Sequence, residues 1–241
     1  ADAIVLDVKV GSGAFMKTVD EAKKLARTMV SIGKGAGRRT VAVLTNMDRP
    51  LGNAIGNALE VKEAIEVLTG HGPKDITEVC VTLAGKMLEL AGKGDFAACR
   101  SLAEKTINDK SGLQKLRQMI KAQYGLEDVA RDTSLLPKAV HGKEYPAPAD
   151  GYLSALVSDK LGIASMLLGA GRATKESIID PSSGITLLKK PGDRVKKGEP
   201  IMVLHANDSS LFDGAVKEIG EAVSISNDMP DLGPLIIDIV E

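Results

Sequence analysis

The stretch AIVLDVKVGSGAFMKTVDEAKKLARTMVSIGKGAGRRTVAVLT, residues 3–45, decides the first part of the fold. Ala3–Val8 is an apolar run without polar alternation, the pattern of a strand buried on both faces, as in a parallel sheet. Gly11-Ser12-Gly13 makes a turn, and Thr18 with Glu21 reads as a capping box opening a helix. Ala22, Leu25, Ala26, Met29 and Val30 recur at helical spacing and give that helix one buried stripe. Gly33, Gly35 and Gly37 are expected to end it, and Thr40–Thr45 is a second buried strand. Strand, helix and strand form a βαβ unit, which predicts a right-handed crossover and two adjacent parallel strands.

Downstream, a loop over residues 46–56 leads into a helix with Asn57 and Glu60 spaced as a cap pair. A helical stretch from Ile76 to about Gln123 follows, with Asp75, Asp95 and Ser111 as caps of three helices. The segment LLPKAVHGKEYPAPADG, residues 135–151, holds three prolines and two glycines and reads as a domain edge. Beyond it, GYLSALVS, GITLL, RVKKG, PIMVLHA and PLIIDIVE are short strand-like pieces, interrupted by helices near Lys160–Leu168 and Ser210–Val223. The expected architecture is therefore an α/β domain with a parallel sheet over residues 1–140, followed by a smaller α+β module over residues 141–241.

Composition narrows the function classes. Lys plus Arg number 31 and Asp plus Glu 32, and aromatics are only three Phe, three Tyr and no Trp. That balance argues against a nucleic-acid binder, and stacking platforms for bases are scarce. No apolar run reaches membrane-spanning length. Cys80 and Cys99 specify no disulfide framework and are expected as buried, reduced thiols. His71, His141 and His205 are scattered and form no metal-ligand pattern. The chain opens on a strand-like run without an initiator Met, as expected of a chain cut inside a longer protein.

Three stretches bear on chemistry. DVKVGSGAFMK, Asp7–Lys17, is a Gly-rich turn at the carboxyl end of a strand, where α/β proteins bind ligands. Met16 stands where a dinucleotide fingerprint needs its third glycine, and the plain alternative is a tight turn with Phe15 packed over it. TNMDRPLGNAIGNALEVKE, Thr45–Glu63, is bent by Pro50, Gly52 and Gly56, so that carbonyls and the Glu63 carboxylate can converge on a hard cation; otherwise it is a surface loop with Glu63 solvated. GDRVKKGEPIMVL, residues 192–204, is similar to the half-motif of biotinyl and lipoyl carrier domains. The following HANDSS holds no lysine to modify, the next being Lys217, so this reads as a structural β-rich module. The pairs Lys189–Lys190 and Lys196–Lys197 read as solvated faces beside turns.

Together, DVKVGSGAFMK, LTNMDRPLGNAIGNALEV, the region APADGYLSAL to LGAGR, and GDRVKKGEPIMVLHA resemble, in order along the chain, the pyrimidine-nucleoside phosphorylases, thymidine phosphorylase included. The resemblance implies phosphorolysis of a pyrimidine nucleoside, with inorganic phosphate as co-substrate, to free base and pentose 1-phosphate. It implies a helical domain closing on an α/β domain, a homodimer, a cytoplasmic location, and neither nucleic-acid nor membrane partners. It further implies that Ala14 and Phe15 line part of the base pocket, and that the carbonyls of Leu51 and Ala54 and the carboxylate of Glu63 contribute to a potassium site. The family's phosphate-binding Lys-His-Ser segment, Gly-rich loop and pyrimidine-holding Arg, Ser and Lys precede the DVKVGSGAF motif. They have no match here, so the resemblance places no catalytic residue in this chain and implies a carboxyl-terminal portion that is inactive alone. The alternatives are a carrier-like or regulatory module, or a related phosphoribosyltransferase or AMP phosphorylase.

Overall fold

The computed structural model describes residues 1–241. β1 (Ala3–Val10) and β2 (Arg39–Asn46) pair in parallel, from Ala3 opposite Arg39 to Val10 opposite Asn46. Between them runs α1 (Val19–Gly35), opened by Thr18, whose side chain accepts the Glu21 N–H. Here the βαβ reading holds. Gly33 lies inside α1, while Gly35 is its last residue, as expected, and the left-handed turn follows at Gly37, with φ +71°. Val8, Val10, Ala42 and Leu44 point to one face and bury against Ala22, Ala26 and Val30 of α1. Strand alternation sends Val41 and Val43, also buried, to the other face.

β3 (Ala54–Ile55) and α2 (Asn57–Leu68) follow, then α3 (Lys74–Leu90), α4 (Phe96–Asn108) and α5 (Ser111–Ala122). α3 lies against β1 and β2. Asp95 caps α4 through the Ala98 N–H, as expected. The other expected caps differ. Gly56, with φ +139°, takes the cap position of α2, and Glu60 reaches back to its N–H at 3.0 Å, while the Asn57 amide donates to the Ala170 carbonyl. Pro73 precedes α3, and Lys110, in a left-handed conformation, precedes α5. Cys99 is buried, but Cys80 on α3 is exposed, contrary to the expectation for both thiols.

The remaining chain forms β4 (His141–Pro146), β5 (Gly151–Leu156), α6 (Ser158–Ser165), β6 (Gly184–Leu187), β7 (Arg194–Val195), β8 (Pro200–Ala206), α7 (Phe212–Ala222), β9 (Val223–Ser226) and β10 (Ile236–Val240). One sheet has the order β3-β6-β8-β4 and another β7-β5-β9, both antiparallel. They enclose a cluster of 17 buried residues, with α6 and α7 supplying Leu161, Phe212, Ala215 and Ile219.

The chain crosses the Pro-rich edge twice. β10 returns to pair antiparallel with β2, so the first sheet reads β1-β2-β10 and holds only one parallel pair. β3 goes the other way and joins the tail sheet beside β6. At that seam Gly184 and Gly56 meet backbone to backbone: a Cβ on Gly184 (φ +151°) would lie 2.2 Å from the Ile55 carbonyl oxygen.

Candidate functional site

The two parallel strands end side by side, and the loops that leave them are tied together. The Met47 N–H donates to the Val10 carbonyl at 2.6 Å, and Gly13 N–H to the Met47 carbonyl at 3.0 Å. Asp48 Oδ1 accepts the Ser12 N–H at 2.8 Å. Lys17 Nζ closes the first loop on itself by donating to the Ser12 carbonyl at 2.7 Å. The carboxyl ends of parallel strands are where open α/β sheets hold ligands.

A cleft of about 730 Å³ runs beside β1 at this end, lined by Leu6, Asp7, Val8, Lys9, Ala14, Phe15, Leu25 and Met29 among others. Ala14 and Phe15 therefore sit together at one opening. Phe15 is 99% exposed and is not packed over the turn. The Asp7 carboxylate is pinned beneath the cleft, accepting from Thr45 Oγ1 at 2.6 Å and pairing with Lys9 at 2.7 Å.

The second loop continues to a polar junction. Glu63, one of the few charged side chains the fold buries, is 5% exposed and extends from α2 to the loop's underside. Its Oε1 accepts the N–H groups of Asn53 at 2.6 Å and Ala54 at 3.1 Å. The solvated alternative for Glu63 is thereby excluded. Burial pushes the Glu63 carboxyl above its usual value, against the pull of those two N–H groups and of Lys190, while Asp75 adds to the rise. Gly52, with φ +71°, lies so close that a Cβ there would come within 2.1 Å of Glu63 Oε2.

Backbone geometry shows which loop carbonyls are free. Leu187 N–H donates to the Asn53 carbonyl at 2.7 Å, so the Ala54–Thr186 pair of β3 and β6 is not itself hydrogen-bonded. The N–H and C=O of Ala54 consequently face away from β6, and its N–H meets Glu63. The Leu51 carbonyl accepts no hydrogen bond within the chain. Ala54 and Glu63 also line one small pocket of about 330 Å³ with Lys62, Glu66 and His71, separate from the cleft at Phe15.

Two residues of this junction depart from the sequence pattern. Lys190 is not a solvated face: its ammonium donates to the Gly52 carbonyl at 2.6 Å and to the Asp75 carboxylate. Asp75 is not a helix cap but accepts the Gly52 N–H at 3.2 Å. Burial alone would raise the Asp75 carboxyl; the Lys190 hydrogen bond and charge outweigh it and hold the group below its usual value. Nothing in the spacing of residues 115 apart signals this contact. Lys189 pairs instead with Glu199 at 2.9 Å. At the end of β8, Asn207 is bonded to Asp180 and Ser182, which ties the turn after that strand into the fold. No helix is long and apolar enough to cross a membrane.

Residues 1–122, which hold the βαβ sheet end and its paired loops, match the model for the glycosyl transferase family a/b domain. Residues 152–226 match that for the pyrimidine nucleoside phosphorylase C-terminal domain, and the chain belongs to the pyrimidine-nucleoside phosphorylase family. Pyrimidine-nucleoside phosphorylases of Staphylococcus aureus strains USA300 and NCTC 8325 are each 48% identical to it over 228 residues, covering 94% of this chain and 52% of theirs. That of the bovine strain RF122 is 47% identical over the same length. The chain spans about half the length of the curated relatives it matches.

Proposed function

We propose that this chain is the carboxyl-terminal part of a pyrimidine-nucleoside phosphorylase and supplies one side of its active site. The reaction is attack of a phosphate oxygen on C1′ of the pentose; the C1′–N bond breaks and the base leaves with the electron pair. The observation that carries the reading is the docking of the two loops at the carboxyl ends of β1 and β2, with a buried carboxylate beneath the second loop. In this reading the opening at Ala14 and Phe15 receives the pyrimidine face. Its apolar lining suits a flat ring, and the charges of Lys9 and Asp7 are already paired to each other.

The Leu51 and Ala54 carbonyls and the Glu63 carboxylate fit a monovalent cation such as potassium. One buried negative charge with two neutral oxygens suits a single positive charge, and a cation would offset the burial of Glu63. Its contribution would be positioning: it holds loop backbone in place for phosphate, with no proton transfer. The phosphate- and base-holding groups belong to the part of the family's length outside this chain, and the intact enzyme is a homodimer. The protein works in the cytoplasm, and this chain by itself does not turn over.

The test is direct. The 241-residue chain is incubated with uridine or thymidine and phosphate, alone and together with the upstream half of an S. aureus relative, and free base is followed by absorbance. Release of base only in the mixture supports the reading. Turnover by the chain alone, at the rates of about 1–1,000 per second typical of enzymes, would refute the division of the site.

A further inference from the structure

Gly52 is held at both its N–H and its carbonyl, on the two peptide units that flank its Cα, by groups from other elements. Asp75 of α3 accepts its N–H at 3.2 Å, and Lys190, from the turn between β6 and β7, donates to its carbonyl at 2.6 Å. The two holders are bonded to each other through Asp75 Oδ2, which also receives the Gly52 N–H. One residue further on, Asn53 is gripped in the same way, its N–H by Glu63 and its carbonyl by the Leu187 N–H. Four consecutive contacts thus fix a loop that has no regular structure until Ala54.

Among these holders Lys190 alone is cationic. Asp75 and Glu63 converge on Gly52 from two helices, and Lys190 is the charge that bears on both. It is partly buried, with 23% of its side chain exposed, and so is Asp75 at 20%. A surface ion pair of two mobile, solvated side chains contributes little and orders little. Here each group also bonds one of the two peptides that flank Gly52, so the pair determines where those peptides, and the Leu51 and Gly52 carbonyls in them, point.

We infer that Lys190 is a positioning residue, through which the tail module sets the conformation of the 51–54 loop and the direction of its carbonyls. The tail is then a working part of the site rather than an appendage. The effect on the loop stands on the contacts alone. Its consequence for a bound cation rests on the proposed role of Leu51, Ala54 and Glu63.

The experiment compares the 241-residue chain with its Lys190→Gln and Lys190→Arg variants by amide hydrogen exchange. With Gln, exchange at Gly52, Asn53 and Ala54 is expected to quicken about tenfold or more, with Ile185 and Leu204 changing less than about twofold; Arg should restore most of the protection. Unchanged loop amides, or equal acceleration everywhere, would overturn the inference, the latter marking Lys190 as a general staple of the tail. If Lys190→Gln does not fold, Asp75→Asn serves instead. It keeps an acceptor for the Gly52 N–H and removes the charge that orients Lys190, so acceleration confined to the same three amides is expected and its absence counts against us.

A second arm follows the Asn53 and Ala54 amide shifts while potassium replaces choline at constant ionic strength. Saturable shifts in the parent chain, needing about tenfold more potassium in Lys190→Gln and less in Lys190→Arg, extend the inference to the cation. No response in the parent chain, repeated with the upstream half of an S. aureus relative present to supply the remaining ligands, defeats the cation reading by itself, and the exchange comparison still decides on Lys190.

Discussion

The tail module and the α/β unit are built on unequal cores. In the tail, 17 buried residues form one cluster, among them Leu153, Leu156, Ile201, Met202 and Leu204 with no exposed surface. In the α/β unit the cluster has seven members, and Ala22, Ala26 and Ala42 are three of them. Small residues let α1 approach the sheet closely but bury little area, and burial stabilises by about 25 cal/mol per Å². Yet the thin unit carries both site loops. The order of the second loop comes less from the unit's own core than from polar contacts reaching out of α2, α3 and the tail. Stability and site geometry are therefore placed in different parts of the molecule and joined at a seam.

The comparison breaks first under core truncation. Leu204→Ala should cost about 2–5 kcal/mol in urea unfolding, the range for a buried leucine in a close-packed interior. Val30→Ala in α1 removes about two methyl equivalents and should cost about 1.5 kcal/mol. Equal losses, or a larger loss from Val30, would show that the tail does not carry the greater share.

The seam itself is tested at Gly184. Alanine there must adopt φ +151° and place its Cβ 2.2 Å from the Ile55 carbonyl oxygen. A loss of about 1–3 kcal/mol is expected, with faster amide exchange at Ile55 and Leu187 than at Leu153. Uniform protection across those amides would mean that β3 does not depend on this close approach.

A smaller and more local effect is expected at Gly52. In Gly52→Ala the new methyl would meet Glu63 Oε2 at 2.1 Å in a left-handed backbone. The change should cost about 1 kcal/mol and shift the Asn53 and Ala54 amide resonances, since Glu63 Oε1 can no longer accept from both. Unmoved amide resonances would show that Glu63 yields without cost, and that its place under the loop is not fixed.

What could be read from sequence follows the range of the interactions. The β1–α1–β2 unit was legible because burial pattern, turn glycines and the Thr18 cap are local signals. Asn57 was misplaced by one residue because a glycine can cap a helix without any side chain, leaving nothing for a cap pattern to detect. PLIIDIVE was legible as a strand, but its return to β2 was not, since an apolar pattern names no partner. Glu63 entered as a helix carboxylate able to turn back to the bent loop, with a solvated alternative left open, and its burial came only from the structure. Lys190 and Asp75 were misread because a lysine pair beside a turn and an acid in a first helical turn each have an ordinary local explanation, and the contact joins residues far apart in the chain.

The finest distinction between the two regions is their response to mild acid, and His205 decides it. This residue lies in β8, facing Gly184 of β6 and Gly142 of β4, and its Nε2 is 3.0 Å from Thr186 Oγ1. Burial, and then the positive charge of Lys62, hold its pKa below the usual 6.5 in the folded protein. A group with a lowered folded pKa takes up its proton more readily when unfolded. Its contribution to stability is therefore complete above pH 6.5 and is lost as the pH falls through 6.5 toward the folded value. One such group can give a slope of at most about 1.4 kcal/mol per pH unit, reached only where the pH lies between its unfolded and folded values. Asp180, held below its usual value of 3.8 by its serine and Asn207 hydrogen bonds against the opposing push of burial, acts only at more acid pH. Urea midpoints at pH 7, 6 and 5 should fall for the parent chain and stay level for His205→Gln, which keeps a hydrogen-bonding group for Thr186 without the titration. Val30→Ala should lower all three midpoints together and keep the parent's slope, because it leaves every titrating group in place. If His205→Gln retains the full slope between pH 7 and 5, the proton uptake lies elsewhere, and mild acid does not distinguish the tail from the unit that carries the loops.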